Sequence, residues 1–383
     1  MKILMISLDK NLLGIEGAFG DATERHKLYG KHVENLDIIV MNKGKESELE
    51  ISHNVRAYPT SSWSRFCYFL DAYKIGKKIF QKRKFDLIVC QDPFLTGLAG
   101  YLLKRKTKTK LVVHSHGDFF GNKYWLKENW FNLPLLCIGK FVIKKADAIR
   151  VVSGVIKEKL VKMNILENKI YKISTPVQLE KFSQFNNERV EEIKNKYNNR
   201  KIILLVGRLV KAKNIFLLID AFKKVLNGYN DTVLLVAGSG ELKEDLEKQI
   251  EKHNLQEKVF LLGAVNHDDL PNFYKACEFF VLPSTNESFG KVLLEAAAAK
   301  KPSIASSTIG AQEIIQEGKT GFIVPINDKD KLTGKILFLL KNKEKTTEMG
   351  EEARSYILKE FSLEKSIEKI IKMWNAVYKA KSL

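Results

Sequence analysis

The strongest constraint on the fold is the alternation of short apolar, β-branched runs with longer helical patterns along the whole chain. Strands that are separated by helices form parallel sheets covered by helices on both faces. The pattern therefore predicts an α/β protein with two Rossmann-like parallel-sheet domains. The predicted strands are 2–8, 37–41, 86–90, 110–114, 148–152 and 169–173 in a first series, and 201–206, 232–237, 259–262, 278–282, 303–305 and 321–324 in a second.

The length of the chain supports the same division. A chain of 383 residues is about twice the size of a typical single domain. Residues 178–200 are polar and charged, which predicts a linker and the first helix of a second domain. We therefore expect one domain at 1–180 and another at 190–362. The final amphipathic pattern, 363–383, packs on either domain as far as the residues alone indicate.

Positive charge is concentrated in the first half of the chain. The net charge is +19, and residues 1–180 hold 31 Lys and Arg against 18 Asp and Glu. Such a surface attracts nucleic acid, anionic lipid or nucleotide substrates, although a lysine-rich composition with solvated faces is the simpler alternative. The sequence contains no nucleic-acid-binding motif, which argues against a nucleic-acid partner.

The cysteines and the N-terminal segment bear on the cellular compartment. Cys67, Cys90, Cys137 and Cys277 form no C-x-x-C pair and have apolar neighbours, which predicts buried, reduced thiols in a cytosolic protein. The first eight residues are typical of a strand rather than of a signal peptide, and the apolar stretches are too short to span a bilayer. We expect a cytoplasmic protein.

Two carboxylates eight residues apart are the strongest indication of chemistry. Glu287 lies in a predicted turn after an apolar strand, and Glu295 lies on the helix that follows. A helix N-terminus offers unpaired N–H groups and partial positive charge, which favour a bound phosphate. A ligand whose phosphates lie on this turn is able to reach both carboxylates. An ordinary βα unit with two solvated glutamates is the alternative.

The loop after the first strand of the second series carries a candidate diphosphate clamp. Arg208 is suited to bidentate contact with phosphate, and Lys213 acts as a point charge, with Lys211 as a possible substitute for it. This loop follows the carboxyl end of a strand, where open α/β sheets bind ligands. A solvated basic loop is the alternative.

Glycines follow two other strands. Gly238 and Gly240 would begin a dinucleotide-binding G-x-G-x-x-G, but Lys243 occupies the third glycine position, so the NAD fingerprint fails and a tight turn is favoured. In the first domain, Gly17 and Gly20 allow a ligand to approach the backbone closely.

Histidines and aspartates supply further candidates. Strand alternation predicts that His114 and His116 face the same side. A zinc site would need more ligands, so a packing histidine or a ligand contact is favoured. Asp92 ends a neighbouring strand and is a further candidate for contact with a ligand. Asp328 and Asp330 spell D-x-D at a helix start, where acids are common without any metal.

A segment rich in aromatic residues and lysines, 122–145, has two interpretations. It is either a crossover helix packed in the core, or a membrane-interface segment with aromatics inserted and lysines on anionic headgroups. The second interpretation predicts peripheral association with the inner face of the membrane.

The sequence at 283–295 resembles the Glu-x7-Glu element of the retaining glycosyltransferases of family 4, which have the GT-B fold of two domains facing a central cleft. The resemblance implies that Glu287 contacts the transferred sugar and that Glu295 binds the nucleotide ribose. It also implies the following contacts: Phe289 and Gly290 with the diphosphate, Arg208 and Lys213 with the same diphosphate, Ser288, Gly238 and Gly240 with the donor pocket, and His116 with the donor sugar.

The resemblance further implies an enzyme that moves a hexose from a nucleotide-diphosphate sugar to a glycan, lipid-linked or cell-envelope saccharide, with retention. No metal or other cofactor is expected, and the terminal helix is expected to return to the first domain. The separated Gly17 and Gly20 depart from the Gly-Gly pair usual in the family. The alternatives are a nucleotide-sugar epimerase or phosphorylase of the same architecture, and a non-enzymatic, basic nucleic-acid-binding protein.

Overall fold

The computed structural model describes residues 1–14 and 22–380, without the side chains of Tyr124 and Glu128. The chain forms two compact units, Met1–Pro176 with Glu364–Leu383 and Val177–Leu363. The predicted fold class, α/β with two parallel-sheet domains, is confirmed.

The first unit is built on an eight-stranded sheet. Its strands are β1 (Lys2–Ser7), β2 (Asn35–Val40), β3 (Leu49–Ser52), β4 (Val55–Pro59), β5 (Leu87–Cys90), β6 (Lys110–Ser115), β7 (Ala148–Val151) and β8 (Ile170–Lys172). The strand order is β3-β4-β2-β1-β5-β6-β7-β8, and β3 pairs antiparallel with β4 whereas the other pairs are parallel. Its helices are α1 (Ala22–Gly30), α2 (Tyr68–Lys82), α3 (Leu95–Thr107), α4 (Lys123–Glu128), α5 (Asn132–Lys145) and α6 (Gly154–Lys162).

The second unit is built on a six-stranded parallel sheet. Its strands are β9 (Lys201–Val206), β10 (Thr232–Ala237), β11 (Val259–Gly263), β12 (Phe279–Leu282), β13 (Ser303–Ser306) and β14 (Gly321–Val324), in the order β11-β10-β9-β12-β13-β14. Its helices are α7 (Asn187–Lys196), α8 (Ile215–Gly228), α9 (Lys243–Lys252), α10 (Leu270–Ala276), α11 (Lys291–Ala298), α12 (Ile309–Ile314), α13 (Lys329–Lys341) and α14 (Lys343–Phe361).

Burial explains why the strands are almost continuously apolar. In β1 and β9, five of six residues are buried, because helices cover both faces of the sheet. Leu205, Phe222 and Phe279 are completely buried in the core of the second unit, between its sheet and its helices. Each unit thus has a core of its own.

Each sheet contains a point where the direction of the winding reverses. From β9 the chain moves outward to β10 and β11, then returns to place β12 on the other side of β9. The first sheet reverses in the same way between β1 and β5. Loops that leave the carboxyl ends of two such neighbouring strands diverge and leave a crevice, which is where α/β proteins bind ligands. Two crevices are therefore expected, one in each unit.

The last helix, α15 (Leu363–Lys379), packs in the first unit rather than in the second. Trp374 is completely buried, and its ring centroid lies 5.4 Å from that of Tyr29. The hydroxyl groups of Ser366 and Ser174 lie 3.1 Å apart, and the Lys110 ammonium donates to the Val377 carbonyl at 3.0 Å. The helix thus completes the core of the unit in which the chain begins.

The cysteines and the apolar character of the helices bear on two further expectations from the sequence. Cys90 and Cys277 are buried and Cys67 is partly buried, but Cys137 is exposed, so the prediction of burial is wrong for Cys137. It lies on the solvent side of α5, where an apolar neighbourhood in sequence does not mean a buried one. Within the described residues, no helix has the length and apolar character needed to cross a membrane.

Candidate active site

The loops that follow β9 and β12 are joined at the reversal point of the second sheet. The Thr285 N–H donates to the Ala212 carbonyl at 2.9 Å, and the Lys213 ammonium donates to Glu287 Oε2 at 2.5 Å. The two charged side chains are only 16% and 18% exposed, so their attraction is screened less than that of a surface pair. Two side chains that are 74 residues apart in sequence thus meet at the carboxyl edge of the sheet.

The Glu287 loop is held by backbone contacts. The Gly310 N–H, at the start of α12, donates to the Glu287 carbonyl at 2.8 Å. A Cβ on Gly310 would lie 2.5 Å from the backbone carbon of Phe289, so only glycine allows this approach. Gly290 has a φ of 78° and leads directly into α11, and Phe289 is buried. The loop therefore presents Glu287 and the half-buried Ser288 from a fixed backbone.

Glu295 lies on the buried side of α11. It is 6% exposed, and the Tyr274 hydroxyl of α10 donates to its Oε2 at 3.0 Å. Burial, and next the charge of Glu295, raise the pKa of Tyr274 well above its ordinary value, so the phenol remains a donor. Sequence reasoning missed Tyr274, because a tyrosine within an apolar helical pattern gives no signal of a polar role.

The two candidate cations of the β9 loop differ in their surroundings. Arg208 is exposed, and in the described part of the chain its guanidinium contacts no carboxylate. Lys213 turns inward to Glu287, whereas Lys211 is exposed on the same short 3-10 turn, Lys211–Lys213. Of the two lysines, Lys213 is therefore the one directed towards Glu287, and its contact with a diphosphate stays a prediction.

Gly238 and Gly240 have a structural reason to be glycines. A Cβ on Gly238 would lie 1.9 Å from the Gly207 carbonyl oxygen, and one on Gly240 would lie 2.4 Å from the Leu209 oxygen. The Leu209 N–H donates to the Ser239 carbonyl at 2.9 Å, so the two loops pack backbone to backbone. These glycines form the tight turn that supports the Arg208 loop, and their contact with a donor stays a prediction.

In the first unit, the side chains of His114, in β6, and His116, just after it, both lie next to the side-chain amide of Gln91. The Gln91 Oε1 atom lies 2.9 Å from His116 Nε2 and 3.3 Å from His114 Nδ1. The amide nitrogen of Gln91 lies 3.0 Å from the Met5 sulfur, a weak acceptor, so the amide oxygen must face the imidazoles. The Gln91 amide oxygen thereby accepts a hydrogen bond from His116 Nε2 and fixes the ring.

Arg150 lies behind His114 and keeps it neutral. Its guanidinium is 2% exposed and donates to the carbonyls of Ile173 at 3.1 Å and Ser174 at 2.6 Å. Burial lowers the pKa of Arg150 to about 10, which leaves it charged at neutral pH. Burial first, and Arg150 next, lower the pKa of His114 well below its ordinary value. Gln91 and Arg150 carry no sequence motif, since only the strand register brings them to the histidines.

Asp92 lies at the reversal point of the first sheet, directly after β5. Its Oδ1 accepts from the Phe94 N–H at 2.7 Å. Its Oδ2 is buried without a hydrogen-bond partner among the described residues, and burial raises the pKa of Asp92 to about 6. A carboxyl group in such a position is a candidate for contact with a ligand hydroxyl.

The remaining predicted residues are two glycines outside the described residues and two aspartates with structural contacts. Gly17 and Gly20 lie outside the described residues. Asp328 caps α13 by accepting from the Lys331 N–H at 2.9 Å, and Asp330 forms an ion pair with Lys224 at 2.6 Å. Within the described ranges, no group of three or more His, Cys, Asp or Glu side chains is arranged to hold a metal ion.

Comparison with known proteins identifies the family. Residues 186–356 match the model described as glycosyl transferases group 1, and residues 35–181 match the model described as glycosyltransferase family 4. An uncharacterized glycosyltransferase of Methanocaldococcus jannaschii is 31% identical over 90% of this chain and 93% of its own. The capsular polysaccharide biosynthesis glycosyltransferase CapM of Staphylococcus aureus is 30% identical over 90% and 91%.

A solved structure agrees in fold. Anabaena HepE in complex with UDP-glucose superposes with a TM-score of 0.78 over 98% of this chain and 100% of its own, at 17% identity. The fold described above is the GT-B fold. The chain belongs to the group 1 glycosyltransferases.

Proposed function

We propose that the enzyme transfers a hexose from a nucleoside-diphosphate sugar to a saccharide acceptor, with retention of the anomeric configuration and without a metal ion. The observation that carries the proposal is the Lys213–Glu287 pair at the reversal point of the second sheet, with the exposed Arg208 on the same loop as Lys213. A cation for the leaving diphosphate and a carboxylate for the sugar are thereby held within one short segment of the crevice.

The diphosphate is proposed to bind between the Arg208 loop and the start of α11. Arg208 supplies a bidentate donor, Lys213 a point charge, and the backbone N–H groups around Phe289 and Gly290 add the positive end of the helix. Together they offset the charge that develops on the departing phosphate, the role a metal ion fills in other transferases. This donor set supports metal-independent transfer.

The nucleotide ribose is proposed to bind Glu295. Tyr274 occupies Glu295 Oε2 and orients the carboxylate, which has further acceptor capacity for ribose hydroxyl groups. The HepE structure contains UDP-glucose, which supports a uridine diphosphate sugar as the donor for this chain as well.

Glu287 is proposed to orient and stabilise the oxocarbenium-like sugar rather than to attack it. Its side chain is held by Lys213, and its backbone is fixed by Gly310. The leaving phosphate takes the proton of the acceptor hydroxyl, so that attack occurs on the face from which the phosphate departs. His116, fixed by Gln91, is proposed to contact the donor sugar.

The acceptor is proposed to be a saccharide of the cell envelope, including a lipid-linked one. CapM takes part in capsular polysaccharide biosynthesis, which supports this class. A lipid-linked acceptor would place the enzyme at the inner face of the membrane as a peripheral protein.

The first experiment identifies the donor. UDP-, GDP- and ADP-sugars are screened by thermal shift, because a ligand that binds only the folded state raises its stability. We expect a UDP-sugar to give the largest shift.

With that donor, Glu287→Gln is expected to lose about a hundredfold or more in turnover while donor binding is mostly kept, because an interaction made in the transition state is lost. The matched control is Glu278→Gln, which alters a glutamate paired with Lys201 at 3.1 Å at the other end of β12 and is expected to stay active. Full activity of Glu287→Gln would sink the assignment.

The anomeric configuration of the product is read by NMR. A new nucleotide sugar formed without acceptor would point to an epimerase instead.

A further inference from the structure

The first unit has a group of large apolar side chains that are exposed to solvent and do not pack in its core. Trp63 is 92% exposed, Trp130 76% and Phe66 70%. Single exposed apolar residues are ordinary on a protein surface, whereas a contiguous group marks an interaction site. The group, which we call the aromatic surface, consists of the exposed Trp63, Phe66, Leu70, Trp130, Leu133 and Phe141 together with the partly buried Phe131.

Ring contacts join the two chain segments that form the aromatic surface. The ring centroids of Phe66 and Phe131 lie 5.7 Å apart, and those of Trp130 and Phe131 lie 3.6 Å apart in a stacked pair. The first segment precedes α2 and the second precedes α5. Since these helices follow β4 and β6, the aromatic surface lies towards the carboxyl edge of the first sheet. Gln91 and Asp92 follow β5 at the same edge.

Helix α5 continues the aromatic surface with a face that is both apolar and basic. Leu133, Cys137 and Phe141 are exposed at intervals of four residues, and Lys140 and Lys144 lie on the same side. The opposite face, with Leu136, Gly139, Val142 and Ile143, is buried. The helix therefore has one face in the core and a second, partly apolar face that is exposed to solvent. On this second face, the Phe141 ring also contacts the Tyr101 ring, with centroids 4.9 Å apart.

The charge of the two segments that form the aromatic surface indicates the kind of partner that binds there. The segments 61–82 and 123–145 together carry ten Lys and Arg against two acids. The cores of protein–protein interfaces are depleted of lysine, which argues against a protein partner. Tryptophans flanked by lysines are typical of segments that lie in the headgroup region of an anionic bilayer. The chemistry of the surface thus matches a membrane.

We propose that the aromatic surface docks the protein on an anionic lipid bilayer and so brings the carboxyl edge of the first sheet to a lipid-linked saccharide. The inference rests on the part of the proposed function that gives the enzyme a lipid-linked acceptor. Trp63 and Trp130 insert among the headgroups, and the lysines of α2 and α5 attract the anionic lipids. Because both tryptophans are largely exposed, and the ring contact of Trp130 is with Phe131 of the same surface, insertion requires no unfolding of the unit.

The full chain is tested by co-sedimentation with phosphatidylcholine vesicles, with and without about one quarter phosphatidylglycerol. We expect binding that depends on the anionic lipid and weakens with salt. Replacing Trp63 and Trp130 by alanine is expected to lower the partition coefficient at least about tenfold. The matched single variants are Leu133→Ala inside the surface and Leu166→Ala outside it, with leucines 62% and 63% exposed; only the first is expected to weaken binding.

A second readout locates the inserted side chains. Brominated lipids are expected to quench the fluorescence of the native protein, and quenching is expected to disappear in Trp63→Phe with Trp130→Phe while binding persists. Binding that is equal for all variants, or independent of anionic lipid, would overturn the proposal. So would a native dimer that the Trp63→Ala, Trp130→Ala variant converts to a monomer in size-exclusion chromatography, because the surface would then be a self-association site.

The proposed function is tested separately on the same variants. The thermal shift with UDP-sugar is expected to be unchanged in all of them, since the aromatic surface shares no residue with the donor site. Loss of vesicle binding with an intact UDP shift is the expected result. A protein that binds vesicles but no nucleotide sugar contradicts the proposed function and leaves the docking surface intact.

Discussion

At the scale of single residues, the candidate site contains groups that are held at a cost to stability. The carboxyl group of Asp92 has one buried oxygen without a partner among the described residues, and Arg150 is buried although it is charged. Arg150 is compensated by two backbone carbonyls, whereas Asp92 is not fully compensated. Uncompensated buried carboxyl groups concentrate at functional sites, which favours a role for Asp92 with the acceptor.

Replacing Asp92 by Asn is expected to stabilise the first unit at neutral pH by about 1–3 kcal/mol while lowering transfer. Burial raises the pKa of Asp92 to about 6, so the folded state binds its proton more tightly than the unfolded chain does. The stability that Asp92 contributes is therefore complete below about pH 4 and is lost as the pH rises through about 6.

Urea unfolding of the native chain and of Asp92→Asn at about pH 4 and pH 7.5 measures this difference. Unfolding of the first unit is followed by tryptophan fluorescence, because all four tryptophans belong to that unit: Trp63, Trp125, Trp130 and Trp374. An Asn variant that is less stable at neutral pH would refute the assignment of an uncompensated charge.

At the scale of elements, every strand was predictable except β3 and β4, at one edge of the first sheet. Parallel strands buried on both faces form continuous apolar runs, and each run predicted from the sequence is a strand in the structure. The hairpin of β3 and β4 was not predicted, because both strands are short and the charged Glu50 and Arg56 interrupt their apolar pattern. Edge strands tolerate such residues, so their pattern is weak.

The candidate site was predictable loop by loop, but its contacts were not. The sequence places Lys213 and Glu287 after two different strands, and only the reversal of the winding between β9 and β12 makes those strands neighbours. For the same reason Gln91 was not recognised as the partner of His116, since it lies on another strand. Residue types and spacings predict chemistry, whereas pairing depends on the strand order.

The turn after β10 gives a prediction at this scale. Gly238→Ala is expected to destabilise the second unit by about 1–3 kcal/mol and to weaken UDP-sugar binding, because its Cβ would meet the Gly207 oxygen at 1.9 Å and its φ is 147°. Calorimetry and thermal shift with the donor measure both effects.

The control for Gly238 is Gly334→Ala in α13, where an added Cβ meets no atom within 4 Å. Higher alanine helix propensity is expected to stabilise that variant by about 0.5–1 kcal/mol without any change in donor binding. If Gly238→Ala bound donor normally, the turn would not support the Arg208 loop.

At the scale of the whole molecule, the two units differ in their tryptophan content and in the candidate ligand-binding residues that they carry. All four tryptophans lie in the first unit, while the candidate donor residues around Glu287 and Glu295 lie in the second. Fluorescence thus follows one unit, and the proposed nucleotide-sugar donor is expected to stabilise the other. Unfolding of the two units can be separated without cutting the chain.

Helix α15 provides the corresponding prediction. Trp374→Ala is expected to lower the stability of the first unit by about 3–5 kcal/mol, because a completely buried indole is removed. Trp374→Phe is expected to be much milder, since the indole N–H is buried without a hydrogen-bond partner among the described residues. Near-ultraviolet circular dichroism during thermal unfolding measures the loss. An equal fall in the UDP-sugar thermal shift would contradict the placement of α15.

Because α15 belongs to the unit in which the chain begins, the second unit is inserted into the first between Pro176 and Glu364. On the ribosome, the residues of the first sheet emerge early but lack the helix that carries Trp374 until translation reaches that helix. The second unit, Val177–Leu363, is continuous in sequence and is able to fold before then. Of the two units, the one whose synthesis starts first is therefore completed last, and the residues that α15 covers, Tyr29 among them, lack that cover during the interval.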